Sequence, residues 1–158
     1  MIRLSRLADY SVVLMTHIAG DTGCLHTAAA AAAATHVPEP TAGKILKALS
    51  RHGLLDSQRG INGGYTLARA PEDISVTEII AAVDGPIALT ECLDADGGAC
   101  SLETTCPTRS GWHKINAAIR RALDAIALAD MMDPLASFTP FSGPAMGATG
   151  VFQDSSKH

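Results

Sequence analysis

Aromatic side chains are scarce in this sequence: one Trp, two Tyr and three Phe among 158 residues, 4% of the whole. A core built from it must therefore be mostly aliphatic. Long apolar runs are missing as well. No stretch approaches the roughly 18 consecutive apolar residues that a membrane span needs. The opening "MIRLSRLADYSVVLM" is too short and too interrupted for a signal h-region. The expected location is cytoplasmic, with no membrane partner. Cysteine is sparse too, with four residues in all. In a reducing compartment such thiols favour metal binding or redox chemistry over structural disulfides.

What is present suits one domain with a real core: 47% of the residues are hydrophobic, and the length is sufficient to bury them. The net charge of −4 conceals an asymmetry. Residues 1–70 carry seven Lys/Arg against four Asp/Glu, whereas residues 71–158 carry five against twelve. A basic front half can engage a polyanion even when the whole chain is acidic.

The local pattern begins with a helix. From Leu4 to Ala19 the apolar residues Leu4, Leu7, Leu14, Met15 and Ile18 fall on one helical face, and "GDTG" breaks it. Thr27 is placed to cap a second helix made of the seven alanines 28–34, which suits close packing against a neighbour. "THVPEP" reads as a turn, because Pro38 and Pro40 push the preceding residues out of the helical region. A third helix is expected over about Thr41–His52, ending at Gly53. Its Ile45, Leu46 and Leu49 form the apolar stripe, and Thr41, Lys44, Lys47 and Arg51 lie along the opposite side. Gly43 inside it is costly and unexplained. Residues 54–69 then read as a hairpin with an Asn-Gly-Gly tip. Three helices, the last with a basic face, followed by a hairpin is the order of a winged helix-turn-helix. In that fold the third helix enters the DNA major groove and the wing reaches the backbone or minor groove.

"SVTEIIAAVDG" is a further helix, with Ser75 and Glu78 as a capping box and Gly85 as its stop. After an extended "PIALTE" comes a polar, Gly-containing segment with three of the four cysteines, and then a long helix. In that helix Trp112, Ile115, Ile119, Leu123 and Ile126 recur at heptad-like spacing, which suits pairing with a second copy. The organisation predicted is a mainly α fold. It comprises a winged helix-turn-helix over 1–85 with a small β-hairpin wing, a three-cysteine loop over 86–110, a long C-terminal dimerisation helix over 111–132 and a disordered tail over 133–158.

The cysteines are spaced Cys92-x7-Cys100-x5-Cys106. Structural zinc sites generally use close C-x2-4-C pairs, which this segment lacks. Wider spacing on a Gly-containing loop suits an iron–sulfur cluster; zinc and reactive thiols stay open. A cluster or a zinc ion needs a fourth ligand, and the candidates are Cys24, Asp9, His36, His113 and the loop acids.

"RLSRLADY", "RGINGGYTLARAPEDISVTEIIAAVDGP" and the three-cysteine loop ending in "CP" before a Trp-led helix resemble the IscR/NsrR-like family of winged-helix iron–sulfur regulators. The resemblance spans roughly residues 1–132 and is nearest to the branch that regulates SUF iron–sulfur assembly. It implies a homodimeric transcriptional regulator, a repressor or activator rather than an enzyme, with double-stranded DNA as partner and no small-molecule substrate. It implies Cys92, Cys100 and Cys106 as cluster ligands, although the gap between the first two is longer than in the best-known members. Asp9 falls where one branch supplies a carboxylate from the partner subunit. Arg109 stands where another branch has a ligand histidine, which favours Asp9 over the histidine arrangement. Nuclearity stays open between 4Fe–4S and 2Fe–2S, with a lean to the former. Arg59 matches the family's wing arginine, which enters the minor groove and reads its shape and potential. Thr41, Lys44, Lys47 and Arg51 lie on the recognition helix; some of them contact phosphate only.

Overall fold

The computed structural model describes residues 3–90, 93 and 105–132. Three helices come first: α1 (Arg6–Ala19), α2 (Ala28–Thr35) and α3 (Glu39–Arg51). Strands β1 (Leu55–Gln58) and β2 (Gly64–Leu67) form the wing, and α4 (Val76–Asp84), α5 (Arg109–Asp124) and α6 (Leu128–Met132) complete the chain. The expected mainly helical fold with a small hairpin is what the chain adopts.

Local chemistry sets most helix starts. Ser5 accepts the Ala8 N–H at 3.0 Å and opens α1, and Thr27 accepts the Ala30 N–H at 3.1 Å and opens α2. Ser75 and Glu78 form the reciprocal capping box of α4: the Glu78 N–H donates to Ser75 Oγ at 3.2 Å and the Ser75 N–H to the Glu78 carboxylate at 2.9 Å. α3 starts earlier than expected, at Glu39, with Pro40 inside its first turn. A helix leaves its first N–H groups without intrahelical partners, so proline's missing donor costs nothing there. The Pro38 carbonyl takes the first bonds instead, from the Thr41 and Ala42 N–H groups, each at 2.9 Å.

The core is aliphatic. Leu14, Met15 and Ile18 of α1 meet Ile45, Leu46 and Leu49 of α3, with Leu54, Leu55, Ile74 and Ile79 closing the cluster. Ala31 and Ala32 join it from α2, where the small side chains let the helix approach α1 and α3 closely. The other five alanines of the run are not buried. Leu4 and Leu7, expected on the core face of the first helix, are instead exposed. Leu4 lies ahead of the helix, and Leu7 lies in its first turn.

In the wing, Leu55 pairs with Leu67 and Gln58 with Gly64, so the connection is the loop 59–63 rather than a tight Asn-Gly-Gly turn. The left-handed residue is Gly60, with φ of 116°. One further departure concerns the segment 111–132, expected as one helix. α5 begins at Arg109 and ends at Asp124. The chain then turns and pairs with the residue that caps α4: the Val76 N–H donates to the Ile126 carbonyl at 2.9 Å and the Leu128 N–H to the Ile74 carbonyl at 2.8 Å. Leu128 is fully buried in the head. Burying it and satisfying these backbone groups outweighs continuing the helix. None of the described helices is long and apolar enough to cross a membrane.

Candidate functional site

The amphipathic pattern of α3 turns Ala42, Ile45, Leu46 and Leu49 inward and leaves Lys44, Lys47 and Arg51 exposed. Thr41 is half-buried at the start of the helix. The wing folds back beside the end of α3, and the two enclose a groove of about 490 Å³. Lys47, Arg51 and Arg59, predicted separately from helix and hairpin, all line it. Lys44 is not among the lining residues. Ser50, Ser57, Gln58, Tyr65 and the start of α2 complete the walls, and sequence reasoning missed them. Ser50 was detectable, because it follows Lys47 by three on the same helical flank; the wing residues needed the fold.

No acid lines this groove, so its three cations project a positive field into a concave, solvent-filled space. Ser50, Ser57 and Gln58 add neutral hydrogen-bonding groups. Such a surface suits a phosphate backbone. Gly43 stays without an intramolecular explanation: nothing lies within 4 Å of where its Cβ would be.

Of the predicted metal ligands, Cys92 and Cys100 lie outside the described residues. Cys106 is a free, partly exposed thiol just before α5. Its Sγ is 3.3 Å from Thr108 Oγ1, and that hydroxyl, with the Thr108 and Arg109 backbone, holds the thiol below its ordinary pKa. A thiol biased toward thiolate is the form that binds metal. Cys24, in contrast, is raised by its hydrogen bond and charge contact with Asp21. Asp9 is exposed in the first turn of α1. His36 caps α2 in a left-handed conformation, with φ of 58°, and His113 is exposed on α5. Among the described residues no three His, Cys, Asp or Glu side chains converge as a metal site.

α5 has no buried residue. Trp112, Ile115 and Ile126 are all more than a third exposed, and so are Leu4 and Leu7 near α1's start.

Comparison with known proteins agrees with this architecture. Residues 4–134 match the family model of Rrf2, described as an iron-dependent transcriptional regulator. The HTH-type transcriptional regulator NsrR of Geobacillus kaustophilus is 35% identical over 106 residues, covering 67% of this chain and 72% of that one. Among solved structures, T. potens IscR is 30% identical with a TM-score of 0.64, over 83% of this chain and 86% of its own. CymR, the global cysteine regulator of B. subtilis, is 26% identical with a TM-score of 0.65, over 84% and 97%.

Proposed function

This chain belongs to the Rrf2 family of iron-dependent transcriptional regulators, and on that premise we propose that it binds its operator as a homodimer under control of an iron–sulfur cluster. Being a transcriptional regulator, it is not an enzyme. The observation that carries the DNA reading is the single groove lined by Lys47, Arg51 and Arg59. On this reading α3 enters the major groove, Lys44 and Thr41 lie along its exposed side, and Arg59 reaches the adjacent minor groove.

Cys92, Cys100 and Cys106 are the proposed thiolate ligands, with Asp9 of the partner subunit as the fourth and a lean to 4Fe–4S. Of these ligands, Cys106 supports the reading: it is accessible, unpaired and biased toward thiolate. A bound cluster supplies a group that oxygen, nitric oxide or iron scarcity removes. The chain's own part is mechanical, since α5 joins the cysteine segment at one end to the head at the other, through Ile126 and Leu128. Iron–sulfur assembly genes are the proposed targets. The exposed apolar side chains of α5 and of residues 4–7 support the dimer, because a copy covering them removes apolar surface from water.

The test is anaerobic isolation with an absorption spectrum and iron and sulfide analysis, followed by operator binding with and without the cluster. A brown protein with acid-labile sulfide is expected. Its colour should be lost on changing any one of Cys92, Cys100 or Cys106 to Ala, and Asp9→Ala should leave a more oxygen-labile cluster. Stoichiometric zinc without sulfide would end the cluster reading. A second reading, direct thiol sensing, draws on the likeness to CymR and on the depressed Cys106 pKa. Operator binding that responds to thiol oxidation in metal-free protein would favour it.

A further inference from the structure

Residues 86–90 leave the head and lead into the cysteine segment. Their backbone donors and acceptors must be satisfied. One side chain of α5 satisfies two of them. The Leu89 N–H donates to Asn116 Oδ1 at 3.2 Å, and Asn116 Nδ2 donates to the Ile87 carbonyl at 3.0 Å. An amide offers one acceptor and a paired donor, the groups of a peptide unit, so Asn116 meets Ile87 and Leu89 as a neighbouring parallel strand would.

Its position makes this more than local repair. Asn116 sits on the flank of α5 that carries Ile119 and Leu123, and those residues line a groove of about 380 Å³ with Ile87, Ala88 and Leu89. A polar residue on that flank weakens apolar packing unless its hydrogen bonds are needed. The two bonds join residues 27 and 29 apart in sequence, and all three loop cysteines lie in the stretch they close. Leu89 is three residues before Cys92, and Cys106 precedes the first turn of α5.

We propose that Asn116 is a positioning residue for the cysteine segment, clamping the residues that enter it to the helix that leaves it. The inference rests on the cluster reading for its purpose. With both ends of the intervening chain held, part of the closure entropy is met before any ligand binds. Three thiolates then gather around a cluster with less ordering to supply, and when one ligand is lost the others stay near.

Asn116→Leu removes both bonds while keeping bulk and helix propensity; Asn116→Asp keeps the acceptor for Leu89 and loses the donor to Ile87. Three measurements suffice: amide exchange of Leu89 in cluster-free protein, decay of the cluster's visible absorption in air, and thermal unfolding. Expected for Asn116→Leu are Leu89 exchange about tenfold faster and a cluster lifetime about tenfold shorter, the order that one or two hydrogen bonds set. Asn116→Asp should fall between it and wild type, with unfolding of the head little changed in both. Should Asn116→Leu fail to fold, the same readouts on Asn116→Asp decide. Unchanged Leu89 exchange, or an unchanged cluster lifetime in a folded variant, overturns the proposal. A wild-type protein that takes up no cluster defeats the cluster reading instead, and Leu89 exchange still decides whether the clamp exists.

Discussion

His26 and Tyr65 exchange both of their backbone hydrogen bonds: the His26 N–H donates to the Tyr65 carbonyl at 3.0 Å, and the Tyr65 N–H to the His26 carbonyl at 2.9 Å. The second strand of the wing is thereby tied to the turn between α1 and α2. A two-stranded hairpin alone is marginal in water, so this third backbone, together with the buried Leu55, holds the wing against the head. The groove between them depends on it.

Gly64 permits the approach. A Cβ there would lie 2.8 Å from the His26 carbonyl oxygen, and that backbone has no flexible end to yield. Gly64→Ala should cost about 1–3 kcal/mol of stability. It should also weaken operator binding more than a surface substitution such as Asp56→Ala does. Thermal unfolding and DNA titration of both variants check this; a Gly64→Ala protein matching wild type in both would remove the bridge from the account.

The wing and helix carry the DNA prediction. Arg59→Ala should weaken specific binding by about 1–3 kcal/mol if it contacts the minor groove closely. Lys47→Ala, as a phosphate contact, should weaken specific and random DNA alike and lower the salt slope by about one. Neither change should alter cluster content. Titrations across a salt series decide it, and wild-type affinity in both variants at every salt concentration would refute this face.

The two described cysteines should react differently. In cluster-free protein the Cys106 thiolate, favoured by the Thr108 hydroxyl, should form below the ordinary thiol range, and Cys24 beside Asp21 above it. Site-resolved alkylation from pH 6 to 10 should label Cys106 first. Thr108→Val should move its curve upward. Equal rates at the two sites across the range would contradict the assignment.

Glu78 links acid stability to the fourth helix. Partial burial pushes its carboxyl upward, but the Ser75 N–H and the Arg69 guanidinium, 2.7 Å away, more than offset this and hold it below the usual range. A depressed carboxylate contributes stability above its unfolded pKa of about 4.3 and loses it as pH falls through the folded value. Melting temperature should therefore drop in acid more steeply for wild type than for Glu78→Gln. Parallel curves from pH 7 to 3 would show that other carboxylates dominate.

The sequence by itself determined what hydrogen bonds of short range determine. Ser5, Thr27 and the Ser75–Glu78 box announce helix starts because each cap acts within three residues. The period of α3 fixed which side chains face inward and which cations face out. Pro40 was misleading, because its effect depends on which turn of a helix it occupies, and a sequence window does not say. Only the tertiary structure decided the rest. Burial of Leu128 and its bond to Ile74 ended α5 at Asp124, although the heptad-like pattern ran on to Ile126. The bonds of Asn116 to Ile87 and Leu89, and those of His26 to Tyr65, join residues far apart in the chain. Pairings of that range carry no local signature, since their gain appears only after the loops between them have closed.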